Sequence, residues 1–420
     1  MRSAPARACG IDFGTSNSTV GWLRPDAPTL LPLEDGKPTL PSAVFFNADE
    51  ESIHYGRDAL AEYLEGYEGR LMRALKSLLG SSLMEGSTEV GGRALPFRDL
   101  LAGFIGELKS RAEAQAGRVF DQAVFGRPIH FVDDNPAADR RAQDTLEAIA
   151  RQVGFKEISF QFEPIGAALH YEARLEREAL VLIADIGGGT ADFSLVRLSP
   201  ERAGKRERAE DLLGNAGIHV GGTDFDRALS LECVMPLLGY RRLMKSGATI
   251  PSNLYFQLAT WHTINFAYTR QAFADFQHIY RDSTARRELD RLARLIGQRE
   301  GHWLALQVEQ AKIDLSTADT LDLHLDRLEP GLVHALSRND FTAATRGLVD
   351  RVAATVGELL VQAGIAADRV DTLYFTGGAS GVPQLRARIA AELPRARCVE
   401  GDLFGSIGAG LAVEAARRYA

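Results

Sequence analysis

The sequence predicts an α/β protein built from two related halves. Strand-like apolar runs alternate with stretches of helical spacing, which predicts sheets flanked by helices. Two short segments also repeat one pattern: Gly10-Ile11-Asp12-Phe13-Gly14-Thr15-Ser16-Asn17 and Ala184-Asp185-Ile186-Gly187-Gly188-Gly189-Thr190-Ala191-Asp192. Each continues a strand-like run, places an aspartate at its end, turns on glycine and presents a hydroxyl. The runs that resume at Thr19 to Leu23 and Phe193 to Leu198 make each segment a β-hairpin. Glycine turns free backbone N–H groups to approach an anion, and nests of such groups bind phosphate. Two facing hairpins, one from each half, would clamp a nucleoside triphosphate tail.

The elements follow in order. Cys9 to Trp22 reads as the first hairpin, and Ser42 to Asn47 as a strand after the proline-punctuated stretch Pro25 to Pro41. Arg57 to Leu79 has helical spacing through Ala59, Leu60, Tyr63, Leu64, Leu71, Leu75 and Leu78, and Asp99 to Ala116 is a second helix. Ala123 to Phe131 is a strand. Pro136 to Gly154 is a helix that Asn135 can cap and Pro136 can open. Ile158 to Glu163 (strand), Pro164 to Leu175 (helix) and Leu180 to Asp185 (strand) lead into the second hairpin. A charged loop, Pro200 to Asp211, precedes Gly217 to Asp226; Phe225 to Thr317 is mostly helical. Asp322 to Leu328 alternates as a strand does, Phe341 to Ala363 is a long helix, and Thr372 to Thr376 a strand. The helices Pro383 to Leu393 and Gly405 to Tyr419 close the chain.

A chain of 420 residues can bury a large core in two or more domains. Its net charge of −8 argues against nonspecific nucleic-acid binding, which needs excess Lys and Arg. Cys9, Cys233 and Cys398 have no metal-ligand spacing and form no even set, which points to a reduced cytoplasmic compartment. No apolar run approaches the ~20 residues that span a bilayer, and Met1 to Ala8 holds no apolar signal core.

Five motifs occur in one order: Gly10 to Thr15, Glu163-Pro164-Ile165-Gly166-Ala167-Ala168, Asp185 to Asp192, Gly221-Gly222-Thr223-Asp224-Phe225-Asp226 and Phe375-Thr376-Gly377-Gly378-Ala379-Ser380. This set resembles the ATPase domain of DnaK-type (seventy-kilodalton) heat-shock chaperones, within the actin, hexokinase and heat-shock ATPase superfamily. The resemblance runs from about Cys9 to Ala416. It is closest to the short YegD-like members through Gly126-Arg127-Pro128-Ile129-His130-Phe131, Met235-Pro236-Leu237-Leu238-Gly239 and Phe404-Gly405-Ser406.

The resemblance implies a two-lobed actin-like ATPase with duplicated ribonuclease-H-like lobes, each on a mixed five-stranded sheet. Lobe I would comprise residues 1–178 and 402–420 with an insert at about 40–122; lobe II would be 179–401 with an insert at about 226–318. It implies slow hydrolysis of ATP to ADP and phosphate with Mg²⁺. Aspartates beside phosphates make sense only with a bridging divalent cation, and Mg²⁺ takes one or two carboxylates while keeping several waters. By similarity, Asp12 and Asp185 would hold those waters. Gly14, Thr15, Ser16, Gly187, Gly188, Gly189 and Thr190 would cradle phosphate, with Gly221 and Gly222 beside them. Glu163 and Asp192 would position the attacking water, and Lys76 would stabilise the developing charge. Glu309 and Lys312, three apart on one helix face, match the ribose-contacting pair; Ser316, Gly377, Gly378 and Asp402 complete the nucleoside end.

Two departures qualify the resemblance. The chaperones sandwich adenine between two arginines, and the matching positions are Ile313 and Gly381. The chain also stops at Ala420, where the chaperones continue into a peptide-binding domain, so none is expected. The expected partners are ATP and an unidentified protein client or co-factor, with no nucleic acid and no membrane. The alternatives are an actin-like nucleotide-dependent assembly protein and a small-molecule kinase of the same superfamily. Arg281 to Arg299 does not look like the apolar end-patch that polymerisation needs, and Glu163-Pro164 with Gly221 to Asp226 is the chaperone pattern.

Overall fold

The computed structural model describes residues 7–24, 27, 29–132, 135–205, 207–403 and 405–419, and of His170 the backbone. Residues 1–6, Pro25, Arg206, Phe404 and Ala420, which entered the sequence reading, lie outside the described residues.

Two five-stranded mixed sheets carry the fold. The first holds β1 (Ala8–Phe13), β2 (Asn17–Gly21), β3 (Thr39–Pro41), β4 (Gln122–Arg127) and β5 (Glu157–Phe162). The second holds β6 (Ala179–Ile186), β7 (Ala191–Leu198), β8 (Leu212–Ile218), β9 (Thr372–Thr376) and β10 (Arg397–Glu400). Their orders are β3-β2-β1-β4-β5 and β8-β7-β6-β9-β10. In both, the first three strands run antiparallel and the last two join in parallel. The repeated hairpins are therefore β1-β2 and β6-β7, at equivalent places in two sheets of one topology. This is the two-lobed actin-like arrangement.

The central strands are buried along almost their whole length, β1 throughout and β6 except at Leu180 and Asp185, as sheets covered on both faces require. On one face of the first sheet, Ile11 and Phe13 pack with Leu101 and Phe104 of the helix Phe97–Ala116. On one face of the second, Leu182 and Phe193 pack with Val352 and Val356 of the helix Arg338–Ala363. The facing sides are joined by a pair of helices. Glu163–Glu172 lays Ile165 and Ala168 on Val181 and Ile183 of the second sheet. Ser406–Arg418 lays Leu411 and Ala415 on Ala8 and Val124 of the first. The two helices touch through glycine: a Cβ at Gly410 would stand 1.9 Å from the Gly166 carbonyl oxygen.

Several segments away from the central strands differ from the sequence expectation. The helix expected over Arg57 to Leu79 runs only from Gly56 to Glu65. Gly66, at φ 92°, caps it in the left-handed region, and Gly69–Arg73 returns as a strand beside Ala43–Asn47. Leu75–Leu78 is then a 3₁₀ turn entered through Ala74 at φ 56°. Apolar spacing could not separate these pieces, because Leu71 and Leu75 fit a helical period across a strand. The expected strand Asp322 to Leu328 is Thr320–His324, paired with Val333–Ser337. Strand β8 was not anticipated: Gly214 and Gly217 interrupt its pattern, and its residues are mostly half-exposed. Asn135 does cap its helix, accepting from the Ala138 N–H at 3.0 Å. Among the described residues no helix is long and apolar enough to cross a membrane.

Candidate functional site

The two hairpins meet turn to turn. A Cβ on Gly188 would come within 2.3 Å of Ser16 Oγ, so glycine is what lets the turns approach. The first turn is held by Ser42, whose Oγ donates to the Gly14 carbonyl at 2.6 Å and whose N–H donates to Ser16 O at 2.9 Å. The second is held by the Gly221-Gly222-Thr223 turn. Gly222 N–H donates to Gly187 O at 3.0 Å, and the Thr223 N–H and hydroxyl both donate to Gly188 O at 2.8 Å. A Cβ at Gly221 would lie 2.6 Å from the Gly188 carbonyl carbon and the Gly189 nitrogen.

The carboxylates converge behind these turns. Strand register sets Asp12 opposite Thr19 and Asp185 opposite Asp192. Thr190 Oγ1 donates to Asp192 Oδ2 at 2.7 Å, fixing that carboxylate. Glu163 opens its helix, and Lys76 Nζ reaches its Oε1 at 2.5 Å. Burial pushes the Asp12 carboxyl well above the ordinary carboxylate range; Glu163 adds to the rise and Lys76 opposes it. Asp185 is raised too, first by burial although it keeps some accessible surface, then by Asp192, Glu163 and Asp12. Burial pulls the Lys76 ammonium down, but Glu163, Asp12 and Asp185 outweigh it and hold it above its usual value. Asp12, Glu163, Asp185, Asp192 and Lys76 thus share one electrostatic neighbourhood, four carboxylates against one ammonium.

Gly377, at φ 81°, ends β9 against Asp185, where a Cβ would stand 2.5 Å from Oδ1; Gly378 starts the following 3₁₀ turn. Lys312 turns not to Glu309 but to Asp226, at 2.9 Å, and lies 3.4 Å from the Gly222 carbonyl. Asp226 is lifted to about 6, by burial ahead of the opposing Lys312. Glu309 acts on Arg73. Ser316 spends its hydroxyl on the Lys312 carbonyl at 3.1 Å. Asp402 accepts from Gly405 N–H at 3.2 Å in the turn before the last helix. Thr15 is exposed at the tip of its hairpin, Ile313 is half-exposed, and the added atoms at Gly381 would meet Leu403.

Contacts that sequence reasoning missed join Tyr63 and Arg73 to Trp261, Asn265 and His302. Tyr63 stacks edge-on against His302 at 4.8 Å between centroids, and its hydroxyl lies 3.3 Å from Asn265 Oδ1 and 3.1 Å from His302 Nδ1. Arg73 stands 4.4 Å over the Trp261 ring, which itself packs edge-on against His302 at 4.7 Å between centroids. Burial lowers His302 to about 4, so it is neutral at pH 7. Asp226 ends the Gly221 to Asp226 motif and Tyr63 shows only as a position of helical spacing, whereas Arg73 and Trp261 carry no local signal.

Comparison with known proteins fits this geometry. Residues 8–98, 86–236 and 278–416 match the family model described as Hsp70 protein. The chain belongs to the Hsp70 family. Among its Hsp70 relatives, chaperone protein HscA of Pectobacterium atrosepticum is 25% identical, over 97% of this chain and 58% of its own length. Chaperone protein DnaK of Thermotoga petrophila is 26% identical, over 90% of this chain and 54% of its own. The DnaK of Thermosipho melanesiensis is 25% identical, over 92% and 55%. The chain thus spans a little over half the length of the curated Hsp70 chaperones it matches.

The donor set fits a hydrated divalent cation. Four acidic groups against one lysine, with Asp12 buried and Asp192 exposed, leave surplus negative charge beside the turns, which a dication would relieve. Among the described residues, the three-ligand group close enough to hold a metal directly is Glu50, His54 and Glu62. Mg²⁺ binds through few carboxylates and keeps its waters, and Asp12 and Asp185 are the carboxylates that would hold them.

Proposed function

We propose that this Hsp70-family protein binds ATP with Mg²⁺ between its two hairpins and hydrolyses it slowly to ADP and phosphate, as a chaperone-related ATPase acting on a protein partner. The observation that carries this reading is the convergence of Asp12, Glu163, Asp185, Asp192 and Lys76 behind two glycine turns. In this reading residues 1–178 and 402–420 form one lobe, with an insert at about 40–122, and residues 179–401 the other, with an insert at about 226–318. The protein works in the cytoplasm.

Bound Mg²⁺ would neutralise charge on the phosphate oxygens. Asp12 and Asp185 would hold its waters from opposite sides. Backbone N–H groups around Gly14 to Ser16 and Gly187 to Gly189 would cradle the phosphates, supported by Gly221 and Gly222. Glu163 and Asp192 would orient the attacking water and accept its proton, with the Thr190 hydroxyl fixing Asp192. Lys76, tied to Glu163, would place positive charge where it develops in the transition state. Glu309, Lys312, Ser316, Gly377, Gly378 and Asp402 would line the nucleoside end.

Purified protein with Mg-ATP is expected to release phosphate slowly, and Asp185→Asn to abolish release while leaving the melting profile cooperative. Tight ATP binding without turnover would remove the hydrolase claim. Failure to bind ATP would remove the site.

A further inference from the structure

The Hsp70 family model passes over residues 237–277, and this stretch supplies most of the lining of a surface cavity of about 750 Å³, with His278, Ile279 and Asp282 just beyond it. Met244, Leu254, Phe276 and Ile279 give it an apolar floor, and Phe266 stands at its rim 58% exposed. The volume falls in the range of built binding pockets. The ring extends the apolar floor outward into one continuous apolar surface.

One wall is a helix, Arg270–Asp282. Gln271, Asp275, His278 and Asp282 line the cavity from it at spacings of four, three and four residues, a single stripe along the helix. The stripe is about 16 Å long at 1.5 Å per residue, so it suits an elongated occupant better than a compact one. Its two carboxylates, Asp275 and Asp282, lie seven residues apart, about 10 Å or two helical turns. Among the described residues no Lys or Arg lines the cavity. Lys245 nearby directs its ammonium to the Arg281 carbonyl at 2.9 Å, and Arg281 donates to Gln277 O and His278. Asp275 accepts one neutral hydrogen bond, from Gln271 at 2.9 Å.

We propose that this cavity docks a partner protein's amphipathic helix, one with basic residues two turns apart and apolar side chains between them. The apolar residues fill the floor against Phe266, and the basic pair meets Asp275 and Asp282. Helix-in-groove recognition of this kind is read through anchors at i, i+3, i+4 and i+7. The proposal stands apart from the nucleotide reading, since none of these residues belongs to that site.

The test uses the full chain and two fluorescein-labelled helical peptides, one with Lys at i and i+7 and Leu at i+3 and i+4, the other with Glu replacing Lys. Fluorescence anisotropy is expected to show the Lys peptide binding at least tenfold more tightly than the Glu peptide. The double variant Asp275→Lys/Asp282→Lys is expected to invert that preference, and Phe266→Ala to weaken the Lys peptide severalfold. The milder Asp275→Asn/Asp282→Asn pair guards against misfolding and should lose most of the discrimination. Phosphate release from ATP should be unchanged in all of them, so this proposal can fail while the ATPase reading survives. Failure of the Lys peptide to bind, or equal binding by wild type and the charge-reversed variant, overturns it.

Discussion

Arg208 shows what a charge needs when it is taken out of water. Its side chain is 1% exposed, and its guanidinium meets Glu172 at 2.8 Å and 3.0 Å and also Asp211, both of them buried. Glu172 accepts in addition from the Ser199 N–H at 3.1 Å, and Asp211 pairs with Arg202. Removing one member of such a network leaves buried charge uncompensated, which costs about 3–5 kcal/mol. Arg208→Met should lower stability by that amount in urea unfolding, with little change in nucleotide affinity. The cluster was not legible in the sequence: Arg208 sits in what reads as a charged loop, the usual signature of a solvated surface. Lys312 teaches the same lesson. Helical spacing suggested Glu309 as its neighbour, yet the salt bridge goes to Asp226, 86 residues away.

At the scale of elements, two joints matter. The first is the helix crossing at Gly166 and Gly410, where each helix also lies on a different sheet. Gly410→Ala would force a methyl into the Gly166 carbonyl, and overpacking of this kind costs about 1–3 kcal/mol. The expected outcome is a lower melting temperature, and an unchanged melt would mean the crossing is not close in solution. The second joint is the contact of Tyr63 and Arg73 with Trp261 and His302. His302 is held neutral, at about 4 against 6.5 for the free side chain. As pH falls, the unfolded chain takes up its proton first. The stability tied to His302 is therefore whole above pH 6.5 and lost as pH drops toward 4, about 2 kcal/mol of it by pH 5. Thermal melts at pH 7.5 and pH 5 should show a larger fall for wild type than for His302→Gln. The strands Gly69–Arg73 and Leu212–Ile218 were hidden because the partners that make them strands lie elsewhere in the chain.

For the whole molecule, the proposed nucleotide site would tie stability to nucleotide and cation together. A ligand that binds only the folded state stabilises it by about 2.7 kcal/mol at a hundredfold excess over its dissociation constant. Mg-ATP at that excess should raise the melting temperature, and ATP with excess EDTA should lose most of the gain, since bare triphosphate would meet four carboxylates and one lysine. Equal stabilisation with and without EDTA would show that the cation has no part in binding.

The sequence by itself determined the two glycine–aspartate hairpins, the order of the five motifs and hence the doubled α/β plan. Those are local features: a turn that needs glycine and a strand that needs continuous apolar residues declare themselves within a dozen positions. Only the tertiary structure decided that Lys76 leaves a 3₁₀ turn toward Glu163, that Asp226 takes Lys312, that Arg208 is buried, and that Trp261 closes on His302 and Arg73. Each of those pairings spans a long loop of chain. A charged or aromatic side chain looks the same in sequence whether water or a distant partner solvates it.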